Sequence, residues 1–245
     1  GGVYIHEPGF PKEWANAPFT CDWGRAGLYR HQVERKGAGF VETQAPKNFI
    51  KVNRPTDADV DGMSRVYQAS WNGPASFNWA GPEHGFVVQV KPKGYIPEPL
   101  PDFEKLSDQE LIALFESPSQ VRAMSAQRTL LRRPETDETT NSLFAFAKDT
   151  SNELRSRVIA LYSISQRLLQ RASFSREKEL AVFSDLSNDP DLSPFVMRAL
   201  GDFGMDLVTQ GKPGSAPVDL LKTGLNRSDP RTRLEAIVST VRQNR

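Results

Sequence analysis

Cysteine is almost absent from this sequence, and long apolar runs are missing altogether. The chain of 245 residues contains a single cysteine, Cys21, which excludes an internal disulfide framework and a cysteine-based zinc cluster. That cysteine continues as Cys21-Asp22-Trp23-Gly24-Arg25 rather than as Cys-x-x-Cys-His, so the chain carries no site for covalent haem. No stretch approaches the roughly 18 apolar residues of a membrane-spanning helix, so no transmembrane segment is predicted.

Net charge is also small. Lys and Arg number 31 and Asp and Glu number 30, which leaves a formal charge of +1. A protein that binds nucleic acid or an anionic membrane needs a clustered basic excess, so we predict neither partner. Hydrophobic residues make up 38% and aromatic residues 9% of the chain, which is enough for packed cores.

The composition divides the chain into two parts. All four tryptophans and all three histidines lie before residue 100, whereas leucine is concentrated after it. The two parts are separated by four closely spaced prolines, Pro92, Pro97, Pro99 and Pro101. Such prolines continue neither a helix nor a central strand. We therefore predict a first domain over 1–95, a proline-rich connector over 96–104 and a second domain over 105–245.

Short β-prone runs and tight turns fill the first part. Phe19–Trp23 and Leu28–Val33 flank a glycine-bounded turn, and Asp57–Val60 and Arg65–Ser70 flank an Asp-Gly turn, a strong hairpin signal. Further strands are predicted over Val3–Ile5, Phe40–Thr43, Phe49–Val52 and Phe86–Val90. Short strands with many aromatics favour β-propeller blades of about 40–50 residues, so about two blades fit. Two blades cannot close a ring, and we expect an incomplete propeller from a longer chain.

Paired apolar helices fill the second part. Ser107-Asp108-Gln109-Glu110 is a capping box, and Asp189-Pro190 and Asp229-Pro230 place a capping side chain before a helix-starting proline. Two stripes at helical spacing are predicted to be buried against neighbouring helices. They are Leu154, Val158, Leu161 and Leu168 in one helix and Leu234, Ile237, Val238 and Val241 in another. Helix pairs with a period of about 39 residues predict four HEAT-like repeats, with a plain helical bundle as the alternative. The predicted fold class is α+β multidomain, with incomplete β-propeller-like blades followed by an α-helical HEAT-like solenoid.

Three stretches of the first part carry a family resemblance: Gly2–Pro11, Cys21–Arg30 and Arg54–Trp71. They resemble the closing blades of bacterial membrane-bound dehydrogenase-like proteins, whose propeller is similar to that of glucose/sorbosone dehydrogenases. Those proteins often continue into HEAT repeats and a c-type haem domain. The best marker is the Pro-Thr-Asp, Asp-Gly, Val-Tyr and Trp pattern within Arg54–Trp71.

The resemblance implies a function and its cofactors. It implies quinone-dependent oxidation of a sugar or an alcohol, with pyrroloquinoline quinone and Ca²⁺ as cofactors, in a periplasmic or extracytoplasmic location. This chain would be the C-terminal portion of such a dehydrogenase, inactive by itself, with a protein partner bound to its solenoid. The alternative is a non-catalytic protein-interaction scaffold, in which the concave face of the solenoid binds a partner.

Histidine is the candidate catalytic residue type, because the reaction implied by the resemblance uses a histidine as general base. The three candidates are His6, His31 and His84. His84 and His6 lie in loops rich in proline and glycine, so we predict that these two are catalytic, His84 first. The alternative is that each histidine lies on the surface or packs within the sheets.

Carboxylates at alternate positions form the candidate metal site. Asp57, Asp59 and Asp61 precede a glycine and could converge on a hard cation such as Ca²⁺. An EF-hand is excluded, because its twelfth position would be Gln68. The alternative is a strand that enters an Asp-Gly hairpin with its carboxylates on the solvent face.

The four tryptophans permit two interpretations. Trp14, Trp23, Trp71 and Trp79 form either a platform on which a sugar ring stacks or part of an aromatic core. Cys21 has no neighbouring base that would make it a nucleophile, and we predict an inward-facing cysteine.

Overall fold

The computed structural model describes residues 1–71, 84–168, 176–209 and 218–243. The chain divides into two compact units. The sheet unit contains residues 1–35, 40–101 and 117–122, and the helical unit contains 36–39, 102–116 and 123–245. The domain bounds predicted at 95 and 105 stay predictions.

The described strands form two sheets. The first sheet has the order β1–β2–β3–β4, with strands at Gly2–Ile5, Ala17–Asp22, Gly27–Lys36 and Gly39–Lys51. The second sheet has the order β5–β6–β7, with strands at Pro55–Val60, Val66–Trp71 and Gly85–Val90. Neighbours in both sheets pair antiparallel, as in β1 with β2 and β6 with β7.

Both predicted hairpins are confirmed. β2 pairs with β3 so that Cys21 lies opposite Leu28, and β5 pairs with β6 so that Val60 lies opposite Val66. In the second turn the Ser64 amide donates to the Asp61 carbonyl at 2.9 Å, and Ser64 takes a left-handed φ of 61°. This conformation closes the Asp-Gly turn that the sequence predicted.

The prediction of two separate strands around Pro46 is wrong, because one strand, β4, runs from Gly39 to Lys51. A central strand forms backbone hydrogen bonds with a neighbouring strand on each side, and proline has no N–H group to donate one. β4 lies at the edge of its sheet, where one side of the backbone needs no strand partner. An edge strand therefore accommodates the proline that the sequence indicated as a break.

The prediction of incomplete propeller blades is wrong. The described strands form one four-stranded and one three-stranded sheet that share a single core. Ile5, Phe19 and Leu28 of the first sheet and Val60 and Val66 of the second are buried together there. Short strands with tight turns occur in propeller blades and in other paired sheets alike, and strand periodicity does not reveal what a sheet packs against.

Eight helices follow in the described part of the helical unit. α1 to α4 span Asp108–Ala113, Gln120–Arg132, Asp137–Lys148 and Leu154–Leu168. α5 to α8 span Arg176–Leu186, Ser193–Thr209, Val218–Leu225 and Pro230–Gln243. None of the described helices has both the length and the apolar character that a membrane crossing requires.

Helix caps were predicted well. The capping box at α1 is confirmed, since the Ser107 side chain accepts from the Glu110 amide while Glu110 accepts from the Ser107 amide. Asp229 caps α8 by accepting from the Thr232 amide at 2.8 Å. The helix start predicted at Asp189-Pro190 is wrong: Asp189 accepts from the amides of Asp191 and Leu192 and so forms a turn, and α6 begins only at Ser193.

The prediction of a HEAT-like solenoid is wrong, and α8 shows the physical reason. Its predicted packing stripe faces solvent, with Ile237 52% and Val241 53% exposed, whereas Ala236 and Ser239 are buried. Small side chains form the packing face because neighbouring glycines bring the helices close together. A Cβ atom at Gly201 of α6 would collide with Ser239. The stripe that was expected to stack repeats therefore does not make the helix contacts.

Candidate functional site

A cleft of about 520 Å³ lies in the sheet unit. Its volume falls in the range of small-molecule sites. The lining comes from the ends of three strands and from the first residue: Gly1, Cys21, Trp23, Pro55, Thr56 and Trp71. Carbon-rich side chains dominate this set, so the cleft suits a ligand with an apolar face.

Strand alternation directs β2 toward the cleft. Ala17 and Phe19 point into the core, and with a period of two Cys21 and Trp23 continue the same face. β2 ends at Asp22, whose carboxylate accepts from the Arg25 amide at 2.8 Å and so begins the turn. Trp23 therefore follows the last residue of the strand and lines the cleft.

A β-bulge forms the wall opposite. Pro55 pairs with Ser70 and Asp57 pairs with Ala69, so the register shifts at Thr56. A bulge bends its strand and changes where a side chain points, and bulges occur often beside binding sites. Thr56 belongs to the lining.

Arg54 connects the two tryptophans of the cleft. Its carbonyl accepts from the Trp71 amide at 2.9 Å, and its guanidinium carbon lies 5.2 Å from the ring centroid of Trp23. The backbone of Arg54 has φ of 44°, in the left-handed region that residues other than glycine adopt rarely. Pro55 follows directly, and a proline restricts the preceding residue further. Arg54 thus contacts Trp71 through its backbone and the ring of Trp23 through its guanidinium.

Cys21 is not activated for nucleophilic chemistry. Burial raises the pKa of its thiol, and the negative charge of Asp57 acts in the same direction. The thiol is therefore neutral at physiological pH, whereas a nucleophilic cysteine needs a depressed pKa. The Gln68 side chain is fully buried next to this thiol, which is a weak hydrogen-bonding group.

Trp14 lies in a different environment. It packs against Phe49 with ring centroids 5.1 Å apart, and Phe49 also contacts Phe10 and Phe19. Trp14 therefore belongs to an aromatic core, whereas Trp23 and Trp71 line a cleft, where the stacking of a sugar ring stays a prediction. Trp79 lies outside the described residues.

Neither predicted catalytic histidine lines the cleft. The Nδ1 atom of His6 lies 3.0 Å from Asn16 Oδ1, and the carbonyl of His6 accepts from the Gln120 amide. His84 is partly exposed and directly precedes β7. A catalytic role for His84 and His6 stays a prediction.

The predicted metal ligands do not converge. Among the described residues, no group of three or more His, Cys, Asp or Glu side chains is arranged to hold a metal ion. Asp57 and Asp59 each accept from the amide of the next residue. Asp61 accepts from the Met63 and Arg65 amides and from the Arg65 side chain. Although burial alone would raise it, these hydrogen bonds hold the pKa of Asp61 below its ordinary value. A Ca²⁺ site at Asp57, Asp59 and Asp61 stays a prediction.

One cross-strand network on the first sheet was not predicted, although His31 was among the candidate histidines. His31 lies with Nε2 2.7 Å from Thr20 Oγ1, and its Nδ1 contacts the Glu42 carboxylate. Hydroxyl, imidazole and carboxylate occur in this order in nucleophile–base relays. None of the three residues lines the cleft, and cross-strand polar pairs stabilise sheets in the same way. The alternation of side chains along β3 predicts that His31 lies on the solvent face of the sheet. It does not predict that Thr20 and Glu42 lie beside it.

A buried carboxyl group also escaped the sequence analysis. Glu7 is only 2% exposed and accepts from the Val121 amide at 3.1 Å, in the first turn of α2. Burial raises the pKa of Glu7 above its ordinary value, although hydrogen bonds from Ser119 and Val121 oppose the shift. Arg122 nearby donates to the Gly62 and Pro99 carbonyls. This cluster satisfies free amides at a helix start, a structural role.

Comparison with known protein families, with curated proteins and with solved structures finds no match to this chain.

Proposed function

We propose that this protein binds a ring-shaped small molecule, a sugar or an aromatic compound, in the tryptophan-lined cleft of its sheet unit. The observation that carries the proposal is the pairing of Trp23 and Trp71 in one cleft of ligand size. Indole rings offer flat apolar faces against which the C–H face of a sugar or an aromatic ring packs. An open-chain molecule cannot present such a face.

The build of the cleft supports the proposal. Strained backbone and bulges persist only where surrounding contacts hold them, and they cluster at binding sites. The strained backbone of Arg54 and the β-bulge at Thr56 both lie next to residues that line the cleft. The Cys21 thiol, whose pKa is raised by burial, adds a soft, weakly polar contact. These features favour binding rather than covalent catalysis.

Matched ligand pairs test the proposal by isothermal titration calorimetry. Glucose is compared with sorbitol, its open-chain polyol, and phenol with hexanol, an open-chain alcohol with the same number of carbon atoms. We expect the ring member of at least one pair to bind more tightly than its open-chain partner. Trp23→Ala and Trp71→Ala should each weaken ring binding about tenfold, because each removes one stacking surface.

Phe40→Ala is the matched control. Phe40 is an aromatic residue of β4 that is 63% exposed and does not line the cleft. This variant should bind as tightly as the unchanged protein. The proposal fails if no ring compound binds, or if Trp23→Ala and Trp71→Ala retain full affinity.

The functions implied by the resemblance stay predictions. They include quinone-dependent oxidation of a sugar or an alcohol, pyrroloquinoline quinone as its cofactor, a protein partner and an extracytoplasmic location. The exposed stripe of α8, Leu234, Ile237 and Val241, is the surface of the helical unit on which a partner would first be sought.

A further inference from the structure

Among the described residues of the sheet unit, two arginines lie over aromatic rings, and one of the two also faces a carboxylate. Arg25 lies 4.1 Å from the ring centroid of Tyr29 and forms an ion pair with Asp22 at 3.5 Å. Arg54 lies 5.2 Å from the centroid of Trp23, and among the described residues its guanidinium has no carboxylate partner. Within the described part of the chain, a positive charge that no carboxylate pairs therefore lies beside Trp23, a residue that lines the cleft.

We propose that Arg54 makes the cleft selective for rings that carry a carboxylate, either a sugar acid or an aromatic acid; this inference rests on the ring-binding function above. Guanidinium is charged at every accessible pH, and its planar donors match the two oxygens of a carboxylate. An apolar wall strengthens such a pair, because it lowers the local dielectric constant. Arg54 is not itself a lining residue, but its guanidinium carbon lies 5.2 Å from the ring centroid of Trp23, so a ring that packs on Trp23 would bring a carboxylate substituent toward this guanidinium.

The position of Arg54 is held rather than incidental. Its left-handed φ of 44° is unfavourable for an arginine and doubly so before Pro55. The hydrogen bond from the Trp71 amide to the Arg54 carbonyl, at 2.9 Å, fixes this backbone against β6. The backbone from which the Arg54 side chain extends is therefore restrained, so less conformational entropy is lost when the guanidinium pairs with a ligand.

One carboxylate lies near another part of the lining. A side chain at Gly1 would touch Asp57, so the Asp57 carboxylate stands beside Gly1, whereas Arg54 stands beside Trp23. The Asp57 carboxylate would repel an acid group near Gly1 and would instead accept a hydrogen bond from a hydroxyl group. A sugar acid presents both groups, hydroxyls for Asp57 and a carboxylate for Arg54.

Matched acid and neutral ligands test this selectivity by calorimetry on the full chain. Glucuronate is compared with glucose, and benzoate with benzyl alcohol. We expect the acid of at least one pair to bind about tenfold more tightly, with a preference that shrinks as salt rises. The two pairs distinguish a sugar acid from an aromatic acid.

Variants assign the preference to one side chain. Arg54→Gln should abolish the preference for the acid and leave the affinity for the neutral ring nearly unchanged, and Arg54→Lys should retain only part of it. Arg25→Gln, which removes the paired arginine, should leave the preference intact. Equal binding of acid and neutral ring, or a preference that survives Arg54→Gln, overturns the inference while ring binding stands. Absence of binding by every ring overturns both proposals.

Discussion

Tryptophan occupies two contrasting environments within the sheet unit. Trp14 packs against Phe49 inside an aromatic cluster, whereas Trp23 and Trp71 line a cleft. At the cluster, neighbouring rings meet each other at distances typical of core packing. At the cleft, the rings border a volume of about 520 Å³, and a left-handed Arg54 and a β-bulge lie next to them. The difference teaches that backbone irregularity, more than residue type, separates a binding aromatic from a core aromatic in this protein.

The largest expected effect tests the core side of the comparison. Phe19 is 1% exposed and contacts Phe49, so Phe19→Ala should lower the free energy of unfolding by about 3–5 kcal/mol. Trp71→Ala should cost only about 1 kcal/mol, because Trp71 is partly exposed and borders a cleft rather than a filled core.

Urea unfolding followed by circular dichroism measures both losses. If Trp71→Ala destabilises the protein as much as Phe19→Ala does, Trp71 is a core residue, and the contrast between the cleft and the core is contradicted. Losses in the ratio given above would support a cleft whose walls are held by the backbone.

A smaller effect tests the electrostatics of the cleft. Burial raises the pKa of Cys21, so at a given pH the fraction of reactive thiolate is lower than for an unperturbed cysteine. Alkylation of Cys21 by iodoacetamide should therefore be slow near pH 8 and continue to rise above the ordinary thiol pKa. The rate profile is read directly, because the chain contains no other cysteine.

Asp57→Asn is the matched variant for this measurement. The Asp57 carboxylate raises the pKa of Cys21, so its neutralisation should move the rate profile toward lower pH. A profile that matches that of a free cysteine peptide would show that the thiol is not buried. A profile unchanged by Asp57→Asn would place the carboxylate too far from the cleft to act on it.

Local structure was predictable from the sequence wherever a few adjacent residues decide it. The Asp-Gly turn before Met63 and the Ser107 capping box depend on neighbours within four residues, and both are present. Tertiary choices were not predictable. Whether Pro46 ends a strand depends on its place at a sheet edge, and which face of α8 packs depends on Gly201 in another helix.

The candidate site was predictable only in its residue types. Tryptophan was expected to serve either stacking or packing, but nothing in the sequence distinguished Trp14 from Trp23. The distinguishing features are the left-handed backbone of Arg54 and the register shift at Thr56. Both arise from how β5 and β6 pair, so they become visible only in three dimensions. The predicted histidines and aspartates were singled out for their chemistry, and the fold places neither His6 nor His84 in the cleft.

Protection of Cys21 by a bound ring compound tests the central claim most directly. Cys21 lines the cleft together with Trp23 and Trp71, so a ligand stacked there should block access to its thiol. We predict that a saturating ring ligand, identified by calorimetry, slows alkylation of Cys21 about tenfold or more, whereas its open-chain partner at the same concentration leaves the rate unchanged. An unchanged alkylation rate with the ring ligand bound would contradict the account, because the ligand would then occupy another site.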